Sequence, residues 1–530
     1  MAGKKTVQVY MQKAYGDYNK QNNVEAASVE LAGFAKTDLI PAGETRTVSV
    51  EVSQRQFASY DATSAKTYVL TGGDYYLAVA DNAHDAVNNI LAKKGYTPAK
   101  TDNRMDAEGN ADIVSDAIKL EENTTKFAKS AATGNDITNQ FEFADWNYYE
   151  NRGSTVVEYV SRSDWQGTMP SDVNDNVVLP WSSQLQSDIN ALGNQGETKL
   201  PADNGEYPTY GSTETSYKLI ELRADAEGNL IPYDDEKWEA LLDQLTWDEQ
   251  VDLVRYGMRT TAAIQSIDKP DTLDHNGPSG LTEDYYKGDG LANENKDPLR
   301  QSKPMCYPAG GILAATCNLE LMYKVGDMIG EDALWAGYNG LYGPGSNIHR
   351  TPYSGRNFEY YSEDGFLSGM ICGYECSGME ANGLYVYNKH VGLNDQEDQF
   401  LRGECGMTGI AVTDMWSGDA SPYMNLPAML AAGTNLIDGQ RPASDMNASK
   451  TNHADVAWGM RESVHRILYT VVHSNAMNGV SVGSSMITVT PWWQIVLVVV
   501  NVLFAAGLAA GVAWIAADEV LIRRKKDARK

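Results

Sequence analysis

Residues 409–416 read GIAVTDMW, a short apolar run that ends abruptly at the carboxylate of Asp414. Comparable apolar runs occupy 384–387 and 435–437, and segments with helical spacing lie between them. Repeated strand–helix units of this kind predict a parallel α/β architecture, with a (β/α) barrel over residues 236–478 as the leading case. In such a barrel, reactive groups lie at the C-terminal ends of the strands, which is where Asp414 falls.

Two local signals support helices in this region. Thr246 and Glu249 form a capping box ahead of an apolar face. Asn318 can cap a second helix. The apolar face of that second helix carries Met322, Val325, Ile329 and Ala333.

Residues 1–95 have the pattern of a small immunoglobulin-like or fibronectin-like β-sandwich. From Val7 onward, apolar and polar residues alternate with the period of two that a half-buried strand shows. Further strands are predicted at 29–36, 46–52 and 74–80, with turn residues between them. A sandwich of this kind has no catalytic content by itself.

Composition, charge and cysteine spacing exclude some classes of function. Residues 96–235 are polar, and we expect them to form an extension that packs on its neighbours. The net charge of −28 argues against a general nucleic-acid binder, because phosphate would be repelled while neutral sugars would not. Cys372 and Cys376 would share a helix face, but zinc needs further ligands nearby. Buried thiols are the better interpretation, and we expect no metal and no organic cofactor.

The C-terminal run 495–517, IVLVVVNVLFAAGLAAGVAWIAA, carries no charge and is long enough to cross a bilayer as a helix. We therefore expect a linker at 479–491, a transmembrane helix at 492–519 and a basic tail at 520–530. The positive-inside rule places the tail in the cytoplasm and the bulk of the chain outside, as a single-pass protein of the cell membrane. A buried core helix is the alternative. No signal peptide opens the chain, so we expect further sequence upstream.

Three polar stretches accompany the 409–416 run. They read RTPYSGRNFEYYSED at 350–364, NKHVGLNDQE at 388–397 and LDHNGPSGL at 273–281. Each alone is compatible with an ordinary surface loop. Together, in this order and at apparent strand ends, they indicate a ligand site, since guanidinium groups are suited to holding hydroxyls or fixing carboxylates.

These stretches resemble glycoside hydrolase family 3, the β-glucosidase and β-xylosidase family. Its barrel carries the motifs DGP, GRNFE-x-x-SED, KH-x-x-x-N-x-QE and a final S/T-D-W. The segments LAGFAK, PAGETRTVSVEV and GGDYYLAV, all within residues 6–95, are similar to the fibronectin-like domain that accompanies the family. Here that domain precedes the barrel, as in members with reversed domain order.

The resemblance implies a role for each matching residue. Asp414 is the implied nucleophile, and its own sequence context leaves open that it only caps the next helix. The implied substrate-binding residues are Arg356, Lys389, His390, Asn276, Asp274 and Trp416. The implied supporting residues are Glu359, Gln396 and Glu397.

Two departures from the family pattern matter. A barrel segment on the order of one β/α unit is missing where Glu397 is followed almost directly by Phe400. The family's general acid/base comes from a separate α/β domain, which in reversed-order members lies upstream, so no residue of this chain is assigned that role. In addition, Asn276 stands where the family has an aspartate, and Met415 displaces Trp416 by one position.

The predicted function is retaining hydrolysis of terminal non-reducing β-D-glucosyl or xylosyl residues, with an upstream α/β domain as a partner. The alternative is a catalytically impaired, membrane-tethered surface protein that binds glycans. The missing segment and Asn276 favour the alternative. The set of Arg356, Lys389, His390 and Asp414 favours the enzyme.

Overall fold

The computed structural model describes residues 1–139, 142, 161–163, 183, 187, 205–281, 306–349, 352–390, 397–415, 426–439, 453–487 and 490–529. Trp416, Gln396 and the side chain of Glu397 lie outside the described residues, as does most of the stretch 140–204 within the predicted 96–235 extension. The chain divides into two compact units, Met1–Val482 and Gly483–Lys530.

The first unit opens with an antiparallel sheet. Its strands are β1 (Thr6–Gln12), β2 (Glu30–Lys36), β5 (Gly73–Ala80) and β6 (Ile118–Leu120), in the order β2-β1-β5-β6. The strands β3 (Ser59–Asp61) and β4 (Thr67–Val69) form a separate hairpin. Helix α1 spans Asp17–Gln21, and helix α2 spans Ala83–Lys93 with Asn82 as its N-cap. The strands predicted from Val7, at 29–36 and at 74–80 are confirmed.

The prediction of a strand at 46–52 is wrong, because this segment pairs with no other strand. It packs through its side chains instead. Val50 and Val52 lie against the backbone of Gly33 in β2, so closely that a Cβ at Gly33 would be 2.6 Å from a Val50 methyl carbon. Alternation therefore marks a half-buried segment here, but the burial comes from side-chain contact and not from backbone pairing.

The second part of this unit has parallel α/β structure. Its helices are α3 (Glu236–Gln244), α4 (Trp247–Arg255), α5 (Gly310–Ala314), α6 (Leu319–Ala336), α7 (Gly365–Ala381), α8 (Leu426–Ala431) and α9 (Ala454–Val472). A π-helix spans Glu397–Glu404. The strands β7 (Asp274–Asn276), β8 (Gly340–Gly345) and β9 (Tyr385–Lys389) form a parallel sheet in that order. Short 3₁₀ turns occupy Gln54–Phe57, Pro98–Thr101, Ala111–Ile113, Leu219–Leu222, Gln265–Ile267, Asn357–Glu359 and Asn475–Met477.

The local helix signals of the sequence are confirmed in this part. Thr246 caps α4 and exchanges capping-box hydrogen bonds with Glu249. Asn318 caps α6 through the backbone N–H of Leu321. The strand predicted around 410–414 is reduced to a single parallel bridge, from Val412 to Leu436.

The antiparallel sheet is fastened to the α/β part by polar and aromatic contacts. Lys36 donates from Nζ to the carbonyl oxygen of Thr316 over 3.0 Å. The rings of Phe34 and Phe366 meet edge to face, with centroids 6.1 Å apart. The Asp364 carboxylate caps α7 at the Leu367 N–H, 2.7 Å away, and also accepts the backbone N–H of Leu31 in β2. One carboxylate thus joins a helix start to a strand of the other sheet.

The second unit is dominated by helix α10 (Trp492–Asp527). It is the one described helix that is long and apolar enough to cross a membrane, and none of its apolar window is buried. Near its C-terminal end Arg523 pairs with Glu519 one turn earlier, at 2.7 Å. Length and composition agree with the predicted span.

Candidate active site

The C-terminal ends of the parallel strands lie side by side. In the register of the sheet, Asn276 is opposite Tyr342, and Tyr342 is opposite Tyr387. At the last position, Gly345 of β8 pairs with Lys389 of β9. Because parallel strands all end at the same edge, Asn276 and Lys389 are brought to one rim.

Glu359 organises two cations at this rim. Its carboxylate accepts from Arg356 Nε at 2.5 Å and lies 3.3 Å from Lys389 Nζ. The Glu359 side chain is 5% exposed, so burial alone would raise its pKa. The hydrogen bond from Arg356 and the charges of Arg356 and Lys389 outweigh that effect and lower the pKa of Glu359 below its ordinary value. The carboxylate therefore stays ionised and holds both cations in place.

The two cations keep free donor capacity. The Arg356 side chain is about half exposed, at 51%, and Glu359 engages only its Nε. Lys389 also donates to the Asn276 side-chain oxygen, at a long 3.4 Å. A guanidinium and an ammonium that are fixed from below can donate to hydroxyl oxygens above.

His390 is held as a neutral ring. Its Nε2 accepts from a terminal nitrogen of Arg356 at 3.0 Å, and because a guanidinium only donates, the ring proton belongs on Nδ1. Nδ1 lies 3.3 Å from the Tyr360 hydroxyl oxygen. Burial, with the charges of Arg356 and Lys389, lowers the pKa of His390. The backbone N–H of His390 donates to Asn347 at 2.5 Å.

Asp414 is exposed beside this cluster. One of its side-chain oxygens accepts the Met415 N–H at 2.8 Å, and the residue as a whole is exposed. Its negative charge acts on two groups of the cluster: it adds to the larger effect of Glu359 in raising the pKa of Arg356, and it opposes the lowering of the pKa of His390. The structure therefore groups Arg356, Lys389 and His390 around Glu359, and Asp414 is near enough for its charge to act on Arg356 and His390.

Asp274 lies deeper than the sequence analysis expects. It shares a strand face with Asn276 but sits one layer below it, and it is 2% exposed. Its two oxygens accept the hydroxyls of Tyr385, at 2.5 Å, and Tyr387, at 3.2 Å. Burial raises the pKa of Asp274 to about 6, although the tyrosine hydrogen bonds oppose the rise. The structure thus separates Asp274 from the groups at the rim.

Sequence analysis misses Asp438. Its backbone N–H donates to the Thr413 hydroxyl at 3.0 Å, and that hydroxyl donates to the Asp414 carbonyl oxygen at 2.6 Å. The Asp438 carboxyl is 7% exposed, and burial raises its pKa to about 6, with Asp414 and Asp274 adding to the rise and Arg259 opposing it. The signal was present: Asp438 ends the 435–437 run in the same way that Asp414 ends the 409–413 run.

The cysteine pair lies on a helix, as the sequence predicts. Cys372 and Cys376 lie on one face of α7 with their sulfurs 3.8 Å apart. Within the described ranges, no group of three or more His, Cys, Asp or Glu side chains is arranged to hold a metal ion.

Comparison with known proteins gives matches for the N-terminal sheet and for most of the chain. The fibronectin type III-like domain family matches residues 5–83. Beta-glucosidase A of Butyrivibrio fibrisolvens is 22% identical over 474 residues, which cover 86% of this chain and 48% of that protein. A probable beta-glucosidase I of Aspergillus fumigatus is 31% identical over 179 residues, or 34% of this chain and 20% of that one.

Among solved structures, a beta-glucosidase from Paenibacillus barengoltzii superposes on this chain with a TM-score of 0.58 at 18% sequence identity. The match covers 92% of this chain and 53% of the other chain, which shows a shared fold. The chain spans about half the length, or less, of the relatives that it matches. The resemblance to the β-glucosidases of glycoside hydrolase family 3 is confirmed at this level.

Proposed function

We propose that this β-glucosidase-like chain is the part of a retaining glycoside hydrolase that carries the nucleophile, and that Asp414 is that nucleophile. The observation that carries the proposal is the exposed Asp414 carboxylate beside Arg356 and His390, with Glu359 fixing the cations from below. A carboxylate at a strand end, next to donors that can hold sugar hydroxyls, is suited to attack on an anomeric carbon.

Burial favours Asp414 over the other carboxylates near the rim. Glu359 is closed in by two cations, Asp274 by two tyrosine hydroxyls, and Asp438 is 7% exposed. A nucleophile has to come within bonding reach of the substrate, and a side chain enclosed by protein cannot. Of these four carboxylates, Asp414 is the exposed one.

The reaction has two steps. In the first, an Asp414 oxygen bonds to the anomeric carbon while the bond from that carbon to the leaving oxygen breaks. Arg356 and Lys389 donate to sugar hydroxyls and hold the ring, and neutral His390, which accepts from Arg356, fixes that guanidinium. In the second, water attacks the same carbon and gives a proton to the carboxylate that donated one in the first step. The bond from that carbon to Asp414 breaks, and the original configuration is restored.

The leaving oxygen needs a proton, and a second carboxyl about 5–5.5 Å from Asp414 would supply it. We assign that acid to an upstream α/β domain, as the family resemblance implies. The parallel strands β7, β8 and β9 and the Val412–Leu436 bridge would then belong to a (β/α) barrel whose mouth that domain covers. Helix α10 would anchor the protein in the cell membrane with the basic tail in the cytoplasm.

A glycan-binding surface protein is the second candidate, and Asn276 is the observation that favours it. An amide makes weaker hydrogen bonds to hydroxyls than a carboxylate does, and the Asn276 oxygen already faces Lys389. Weaker contact with the sugar lowers the binding energy that a catalyst can use in the transition state.

Covalent labelling separates the two candidates. With 2,4-dinitrophenyl 2-deoxy-2-fluoro-β-D-glucoside the leaving group departs with its electron pair and needs no proton, so an absent acid does not prevent attack. We expect one fluoroglucosyl group on the peptide that contains Asp414, measured by mass spectrometry, and none in Asp414→Asn. Binding of cellobiose or xylobiose by calorimetry without any adduct would instead support the binding protein.

A further inference from the structure

A hairpin from the polar extension lies against the segment that leads to Asp414. This clasp hairpin (residues 128–137) is closed by hydrogen bonds from the N–H of Ser130 to the carbonyl of Asn135 and from the N–H of Ile137 to the carbonyl of Ala128, both 2.8 Å. A bridge between Lys129 and Asp136 completes it. The π-helix Glu397–Glu404 ends at its tip.

Three side chains of the clasp hairpin bind the end of that helix. Thr133 and Asn135 donate to the carbonyl oxygen of Gly403 at 2.5 and 2.8 Å, and Ser130 donates to that of Glu404 at 2.5 Å. The last carbonyls of a helix lack partners within the helix and must be satisfied elsewhere. Here a segment about 270 positions away in the sequence satisfies them.

The same helix carries Arg402, which contacts the segment 409–414, called the nucleophile strand below because it leads to Asp414. Its guanidinium donates to the carbonyl oxygen of Gly409 at 3.2 Å and to that of Gly433 at 2.8 Å. It also donates to the Asn435 side-chain oxygen at 2.5 Å, and that oxygen accepts the Ala411 N–H at 2.9 Å. Arg402 therefore joins both sides of the Val412–Leu436 bridge.

The strand that carries Asp414 depends on such anchors. Its backbone hydrogen bonds in the described chain run to one neighbour: the N–H of Asn435 donates to Ala411 at 2.9 Å, and the N–H of Thr413 donates to Leu436 at 3.0 Å. A strand paired on one side has less of its position fixed by backbone than a central strand. Side-chain donors that converge on its start supply the rest.

We propose that Arg402 is a positioning residue for the nucleophile, and that the clasp hairpin holds the π-helix so that Arg402 can act. The inference rests on the proposed role of Asp414. Its geometry is that of a fork: several planar donors meet three acceptors in fixed directions, an arrangement that a lysine ammonium cannot reproduce. The clasp hairpin acts one step further away, through the Gly403 and Glu404 carbonyls.

The test measures the labelling rate of Arg402→Lys at several concentrations of the dinitrophenyl fluoroglucoside. We expect the maximal rate to fall about 10- to 100-fold, since a misplacement on the order of 1 Å costs that much. The half-saturating concentration should stay within about twofold, because the groups that hold the sugar are untouched. A triple variant of the clasp hairpin, Ser130→Ala with Thr133→Val and Asn135→Ala, should show a smaller fall of the same kind, and Thr133→Ser should label normally.

Two matched controls separate positioning from general destabilisation. Arg461→Lys removes a guanidinium that is more deeply buried than that of Arg402 and binds Glu239 and Asp243 of α3. It should lower stability without changing the maximal labelling rate. Lys129→Ala with Asp136→Ala alters the exposed pair of the clasp hairpin and leaves its contacts to Gly403 and Glu404 intact.

Hydrogen–deuterium exchange gives a reading that does not need catalysis. We expect faster exchange of the amides of 410–414 in Arg402→Lys and in the triple variant, and unchanged exchange in both controls. If the unaltered chain takes no label, the proposed function fails while exchange still decides the positioning role. Equal labelling rates and equal exchange in Arg402→Lys and the unaltered chain would overturn the inference.

Discussion

Replacing Glu359 by glutamine tests the charge arrangement at the rim. The change keeps the shape of the side chain and removes the anion that holds Arg356 and Lys389. Hydrogen bonds to charged groups contribute about 1.5–3 kcal/mol each. The pair with Lys389, whose side chain is 18% exposed, should contribute a value within that range. The pair with the half-exposed Arg356 should add about 0–1 kcal/mol, because solvent screens it. We expect a loss of about 2–4 kcal/mol in the free energy of unfolding.

Urea unfolding followed by tryptophan fluorescence measures this loss, with Glu320→Gln as the control. Glu320 forms an exposed pair with Lys324 on α6, so its replacement should cost at most about 0.5 kcal/mol. The pH dependence adds a second check. Because the pKa of Glu359 is lowered on folding, its contribution is fully present above its ordinary value of 4.5 and is lost as the pH falls below it. Equal costs for the two variants, or a cost that persists unchanged at low pH, would refute the reasoning.

Three further predictions concern neighbouring residues. Asp438→Asn should stabilise the chain near pH 7 by up to about 3 kcal/mol and give no gain near pH 3. The reason is that folding raises the pKa of Asp438 from its ordinary 3.8 to about 6, so ionisation of the buried carboxyl costs free energy once the pH exceeds 3.8. Thermal unfolding at both pH values measures the effect. Thr413→Val should slow labelling of Asp414 and cost about 1–3 kcal/mol, whereas Thr413→Ser should restore both; labelling kinetics and urea unfolding report the two effects. Asn276→Asp should lower the Kd for glucose about 3- to 10-fold in calorimetry, because a carboxylate accepts hydrogen bonds from hydroxyls and from Lys389 more strongly than an amide does. An unchanged Kd would count against contact between Asn276 and the sugar.

Features that depend on short-range chemistry could be predicted from the sequence. The Thr246–Glu249 capping box and the Asn318 cap need only residues within one helical turn. The alternation from Val7 likewise predicts strand β1, although Val9 to Gln12 are all buried, so both faces of that half of the strand are covered. The segment 46–52 shows where that reasoning stops, since alternation does not say whether a half-buried segment pairs through its backbone.

The candidate site depends on how deeply each side chain of the parallel sheet is buried, and the sequence does not predict that depth. Asp274 and Asn276 are two positions apart on one strand, yet the first is enclosed by tyrosines and the second is at the rim. Nothing in LDHNGPSGL distinguishes the two depths. The clasp hairpin and the π-helix meet across a separation that no local pattern encodes. The catalytic roles of Asp414, Arg356, Lys389 and His390 remain predictions that the labelling experiment tests.

The carboxylate of Asp364 has a consequence for how such proteins can be rearranged. It satisfies the first turn of α7 and an amide of β2 at the same time. If residues 1–139 were cut away, the partly buried carboxylate of Asp364 would lose the Leu31 amide and become more exposed to water. The fibronectin-like module therefore depends on its partner: joining it to another α/β domain would require an acceptor at the equivalent helix start.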